Sequence, residues 1–154
     1  MFTPRLALLL LLPATLGQQI WYVSRSVLPA QDAVDFVSVA QRIEREGFPA
    51  TVRAESVPPL FPVSIAAAHR ALTWFGVIEP RAWGAAAQWA AAAALVLAVV
   101  PAYFLARRLV APEAAFCGTL LFFSLPETAR LGADGTSDAL HLSLVAAALW
   151  AVAG

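Results

Sequence analysis

"AWGAAAQWAAAAALVLAVVPAYFLARRLV", Ala82 to Val110, is the stretch on which the fold turns. From Trp89 to Ala106 it carries no charged or amide side chain. A helix needs about 20 such residues to cross the roughly 30 Å hydrocarbon core of a bilayer. The reading predicts a spanning helix over about 83–106, ended by Arg107 and Arg108, with Pro101 as a place to kink.

The rest of the composition agrees. Of 154 residues, 60% are hydrophobic and 13% charged, against about 25% charged in a soluble domain. Mean hydropathy is +0.73. This is the composition of an integral membrane protein. Net charge is zero, so no long-range field draws the chain as a whole to nucleic acid. All ten basic residues are arginine, and the absence of Asn excludes an N-glycosylation sequon. Cys117 is the single cysteine, so no internal disulfide can form; within "AAFCGTLLFF" it reads as a small buried or lipid-facing hydrophobe.

Three more apolar runs predict spans over about 6–24, 114–126 and 137–154, giving an all-α polytopic protein with about four transmembrane helices. The first has the short n-region and leucine run of a signal peptide, but it ends in Gln18, Gln19, Ile20, Trp21 and Tyr22 without a clean small-x-small site. Trp21 and Tyr22 read instead as an interfacial aromatic anchor, and Pro13 as a kink that neighbouring helices accommodate. The last run stops in mid-hydrophobic sequence, which makes the chain read as the N-terminal portion of a longer protein.

Between the first two spans, the loop 25–81 holds most of the charges. "QDAVDFVSVAQRI", Gln31 to Ile43, has helical period: Ala33, Phe36, Val37, Ala40 and Ile43 share one face, Asp35, Ser38, Arg42 and Arg45 the other. Gly47 and Pro49 are expected to stop it. "VPPLFPVSIAAAHRALTWFG" is too short and interrupted to span and reads as an interfacial helix. By the positive-inside rule Arg107-Arg108 and the N-terminus with Arg5 face the cytoplasm. Alternating crossings then put the loop 25–81 and "ARLGADGTSD", Ala129 to Asp138, on one outer side, with Asp32 and Asp138 sharing a surface.

No Walker motif, dinucleotide glycine pattern, zinc spacing or Ser-His-Asp order is present. What the chain does have is an order of parts. A first helix precedes "QDAVDFVSVAQRI". Then come "VPPLFPVSIAAAHRAL", a long helix ending in "LARRLVAPEAA", and "SLPETARLGADGTSDAL". This order resembles the start of the GT-C glycosyltransferases, in particular the family 39 branch of dolichyl-phosphate-mannose-protein mannosyltransferases and relatives, from Leu6 to Leu149. In that family an acidic residue in the first outer loop is followed by Tyr or Phe and then Ala, a frame that Asp32, Phe36 and Ala40 fit.

The resemblance implies an enzyme that moves a sugar from a polyprenyl-phosphate donor to a lipid, protein or glycan acceptor. It would work at the outer face of a bacterial inner membrane, among membrane lipids. It implies that Asp32 is catalytic, either as general base on the acceptor hydroxyl or by helping to hold a divalent metal ion against the donor phosphate. Asp138 matches an Asp that the family carries at the start of the fourth helix. The chain departs from the family at Val57, where relatives often have His, and at Ala33, where the paired Asp-Glu is absent.

The same residues have plainer roles. Asp32 can cap a helix, with Asp35 completing a capping arrangement, and first-turn carboxylates suit the helix dipole by about 0.3–1 kcal/mol. His69 and His141 lie far apart on apolar helices and read as structural or interfacial. Arg53, Arg70 and Arg81 suit a donor phosphate or lipid headgroups, and the headgroup reading is preferred for each. A non-enzymatic membrane protein, a transporter subunit or assembly factor, would need only the helices and these caps.

Overall fold

The computed structural model describes residues 3–26, 31–77 and 81–153, without the side chains of Gln31 and Arg81. These residues form helices and short connections. In chain order they are α1 (Pro4–Arg25), α2 (Gln31–Glu46), α3 (Phe48–Ala54), α4 (Leu60–Trp74), α5 (Arg81–Leu109), α6 (Pro112–Ser124), α7 (Pro126–Ala133) and α8 (Asp138–Val152). The helix α5 is the hub, packing against α1, α2, α4, α6, α7 and α8.

Its sequence explains this. Alanine is the best helix former, and a small side chain lets neighbouring backbones come close. Ala86, Ala87, Ala90, Ala91, Ala94 and Ala98 are all buried, together with Leu95, Val99 and Tyr103. At 29 residues α5 is about 43 Å long, ample for a bilayer, and it runs through Pro101 as one helix. The helix α1 is likewise long and apolar enough to cross, with Pro13 inside it.

The expected third and fourth spans come out shorter. With 13 residues α6 rises about 20 Å, and the 15 residues of α8 rise about 22 Å, both less than the hydrocarbon core. The run that was expected to begin near 137 is preceded by a separate helix, α7, set at 113° to α8. Among the described residues two helices are therefore long and apolar enough to cross, or three if the bent α7–α8 pair is one span. The bend is possible because Gly135 takes φ +70 and has no Cβ; one there would lie 3.3 Å from the Ala87 Cβ.

In the loop 25–81 the amphipathic reading of α2 holds. Ala33 and Ala40 are buried, Phe36 and Val37 pack against the core, and Asp35, Ser38 and Arg45 are exposed. Val39 is buried as well, which widens the apolar face. Gly47 ends α2, but Pro49 does not: it lies in the first turn of a further helix, α3, where a missing N–H costs nothing. Arg42 ties these elements by ion pairs to Glu55, after α3, and to Glu46 at 3.5 Å.

The bundle contains one buried side-chain clasp. Gln19, fully buried on α1, donates from Nε2 to the Ala129 carbonyl of α7 at 3.1 Å. Its amide fills the space beside Gly132, where a Cβ would stand 2.2 Å from Gln19 Oε1 and 3.1 Å from Leu95. Gly132→Ala is accordingly expected to cost about 1–3 kcal/mol by overpacking. The double variant Gln19→Ala/Gly132→Ala should be more stable than the sum of the singles by at least 0.5 kcal/mol, since one removes what the other strikes. Thermal unfolding of the four proteins in detergent measures this coupling, and additivity would contradict the clasp.

Candidate functional site

One end of the bundle gathers the polar segments. The end of α1 at Tyr22 and Arg25, the start of α5 at Trp83, the turn between α7 and α8, and the set α2–α4 all meet there. The opposite end carries Arg107 and Arg108, where Arg108 Nη1 donates to the carbonyl of Trp150 near the end of α8, and Trp150 stacks on Phe104. The expected grouping of the loop 25–81 with Ala129 to Asp138 is thus a feature of the fold, while the direction relative to a membrane is set by nothing in it.

Both expected carboxylates are exposed at this end. Asp32 lies in the first turn of α2, which begins at Gln31, so it stands inside the helix and does not precede it as a cap. Asp35 is exposed, and its carbonyl accepts from the Ser38 hydroxyl at 2.8 Å. Asp138 is the first residue of α8, and its Oδ2 accepts from Thr136 Oγ1 at 3.2 Å. The two segments meet at a cavity of about 160 Å³. Its walls include Phe36, one turn beyond Asp32, and Ser137 and His141, which flank Asp138, closed by Phe61 and Leu140. Phe36 is held by an edge-on contact with Phe61 of α4, ring centroids 5.2 Å apart at 89°.

A second cavity, of about 360 Å³, lies between α1 and α7 and is lined by Tyr22, Arg25, Ser26, Arg130, Ala133 and Asp134. Arg25 also lies over the indole of Trp21, 3.7 Å from its centroid, a cation–π contact. Two guanidinium groups and one carboxylate leave this cavity cationic, and guanidinium forks match phosphate oxygens. The sequence reading looked for such cations at Arg53, Arg70 and Arg81. Arg53 is exposed on α3, Arg70 is paired to Glu44, and the side chain of Arg81 lies outside the described residues. Arg25 and Arg130 were missed because they are 105 positions apart; each is the basic residue in the last turn of its own helix, α1 and α7.

His69 has the structural role expected of it. It is buried on α4, stacked flat on Trp83 of α5 with centroids 3.6 Å apart, and its Nδ1 lies 3.4 Å from Glu44 Oε1 on α2. The same oxygen accepts Arg70 Nε at 3.3 Å. The Glu44 carboxylate joins α2 to α4, and the His69–Trp83 stack joins α4 to α5. His141, by contrast, is exposed on α8. Cys117 is exposed on α6, the outward-facing alternative of the two read from sequence. Among the described residues no three His, Cys, Asp or Glu side chains converge to hold a metal ion.

The chain matches no family model, no curated protein and no solved structure.

Glu44 and Arg70 should differ sharply in weight. Glu44→Ala leaves both His69 and Arg70 without their common acceptor, at a cost of about 1–3 kcal/mol. Arg70→Ala should cost less than about 1 kcal/mol, because its side chain is 74% exposed. Unfolding midpoints of the two variants test the order.

Proposed function

We propose that this chain forms the N-terminal helices of a GT-C membrane glycosyltransferase resembling family 39. Such an enzyme moves a sugar from a polyprenyl-phosphate donor to an acceptor hydroxyl at the outer face of the bacterial plasma membrane. The observation that carries the reading is the cavity shared by α2 and α8. It brings Phe36, a turn from Asp32, together with Ser137 and His141 beside Asp138, from parts of the chain about a hundred residues apart. Asp32 and Asp138, both exposed at that end, offer a general base to an acceptor hydroxyl there.

On this reading four segments cross. The helices α6 and α8 complete the count as short spans: α6 leads from the Arg107–Arg108 end toward the end with Arg130, and α8 returns to place Trp150 beside Arg108. A bilayer adjusts to short spans by thinning, at modest cost. The N-terminus and Arg107–Arg108 are then cytoplasmic.

The chemistry follows from the charges. Asp32 takes the proton of the acceptor hydroxyl as its oxygen bonds to the anomeric carbon. The bond from that carbon to the lipid phosphate breaks, and the phosphate leaves with the electron pair. The leaving phosphate gains negative charge, which Arg25 and Arg130 offset if the donor headgroup sits in their cavity. Trp21, 56% exposed beside Arg25, is suited to the headgroup depth at which a lipid-borne phosphate lies.

In the full-length protein, Asp32→Asn is expected to lower sugar transfer by about 10²–10⁴-fold with normal membrane insertion. Unchanged transfer from a polyprenyl-phosphate sugar to acceptor in isolated membranes would remove Asp32 from the reaction. Arg130→Gln should raise the KM for the donor about tenfold or more, as expected for loss of a charged hydrogen bond, with a smaller change in kcat. A KM for donor equal to that of the wild type would detach the arginine cavity from donor binding.

A further inference from the structure

The cavity of about 160 Å³ at the polar end of the bundle has one wall made by a single face of α8. Ser137 precedes the helix, and Leu140, His141 and Leu144 follow it at the spacing that puts residues on one side. Hydroxyl and imidazole lie at the first turn, and the leucines make the rest of this wall apolar. The facing wall is apolar throughout, with the rings of Phe36 and Phe61 edge to face.

The wall also has a direction. The helix α8 runs beside α5 from the turn at Gly135, against Ala87, to Trp150, whose carbonyl accepts from Arg108. Leu144 therefore lies about 10 Å from Ser137 toward the opposite end of the bundle. With α1 and α5 as spans, that direction is into the bilayer. Leu60 and Leu144 line the cavity yet are 52% and 50% exposed, so its mouth is apolar.

Size and polarity narrow what fits this space. An apolar cavity of about 150 Å³ takes a molecule the size of benzene. Among the described residues, Ser137 and His141 are its only polar lining side chains. A glycan brings a hydroxyl on nearly every carbon, and a peptide brings an N–H and a C=O per residue. Each such group buried without a partner costs about 1–3 kcal/mol. An alcohol on a hydrocarbon body brings one polar group, which a hydroxyl and an imidazole satisfy, and apolar carbons for the rest.

The cavity is close to the one lined by arginines. Asp134 lines that one and Ser137 this one, three residues apart across the turn at Gly135, so their Cα atoms are at most about 11 Å apart. A phosphate beside Arg25 and Arg130 and a hydroxyl beside Ser137 can face one sugar between them.

We infer that this cavity is the acceptor subsite of the proposed transferase and that the acceptor is a lipid alcohol. Its hydroxyl lies at Ser137 and His141, and the carbons next to it fill the space between Phe36, Phe61 and Leu140. The step is the one written above: the hydroxyl oxygen bonds to the anomeric carbon, its proton passes to Asp32, and the lipid phosphate leaves with the electron pair. The inference rests on the glycosyl-transfer reading and narrows its acceptor to one class.

The test has a binding arm and a transfer arm, both on the full-length protein in isolated membranes. In the first, an octanol carrying a photoreactive diazirine is irradiated with the protein, and the labelled peptides are located by mass spectrometry. Label is expected on the cavity walls, several-fold lower with excess 1-octanol and unchanged with excess methyl glucoside. Leu144→Trp, at the rim, should lower it several-fold, and Leu97→Trp, at a position 64% exposed on α5, should not. Label that excess octanol does not reduce, or that is no stronger on the cavity walls than on Leu97, would overturn the inference. The wild-type competition decides this even where a variant fails to insert. In the second arm, sugar in a glycoside that survives the mild acid which cleaves the donor is followed into organic extract, protein pellet and aqueous phase. Glycoside in the organic extract is expected. Glycoside in the pellet or the aqueous phase would overturn the lipid alcohol and leave glycosyl transfer standing. No glycoside in any phase would overturn the transfer reading, and this acceptor with it.

Discussion

Everything else in the molecule leans on the alanine face of α5. A helix buried by lipid on some sides and protein on others gains little from hydrophobicity alone, because hydrocarbon chains are as apolar as leucine. What selects the protein contact is closeness, and Ala86, Ala87, Ala90, Ala91, Ala94 and Ala98 let six other helices approach one axis. The same requirement explains Gly132, where a Cβ would stand 2.2 Å from Gln19 Oε1, and Gly135, whose positive φ and 3.3 Å approach to Ala87 both favour glycine. The hub is thus specified by small residues, and the larger ones fill what remains: Leu95, Val99 and Tyr103 are buried further along the same helix.

Polar groups inside such a bundle need partners from the protein, since lipid offers none. Gln19 finds one in the Ala129 carbonyl, and His69, Glu44, Arg70 and Trp83 form a small network where α2, α4 and α5 converge. These clusters hold the segments of the loop 25–81 and of 126–138 onto one end of the bundle. The proposed chemistry makes use of that end: Asp32 and Asp138 lie within a turn of residues that wall one cavity, and Arg25 and Arg130 line another.

Several parts of this arrangement were legible along the chain. The two long helices follow from uninterrupted apolar runs and the amphipathic α2 from its period, and the expected grouping of the loop 25–81 with Ala129 to Asp138 is met at one end of the bundle. The expected count of four spans is met in part: among the described residues two helices are long and apolar enough to cross, or three if α7 and α8 form one span. The runs expected as third and fourth spans form helices of 13 and 15 residues, and the turn at Gly135 sets α7 at 113° to α8, which hydropathy does not register. Pro49 reads as a stop because proline ends helices as readily as it opens them; here it opens α3. The arginine pair at positions 25 and 130 was invisible because the residues become neighbours only once α1 and α7 pack.

By itself the sequence determined that the chain is helical and apolar, with segments long enough to cross a membrane, because composition and period are properties of single segments. It also located Asp32 and Asp138 at helix starts, as local turn chemistry does. Only the tertiary structure decided which helix is central and that Phe36 and Ser137 wall one cavity. Those are relations between segments far apart in the chain, set by which small residues permit close approach, and no window of sequence contains them.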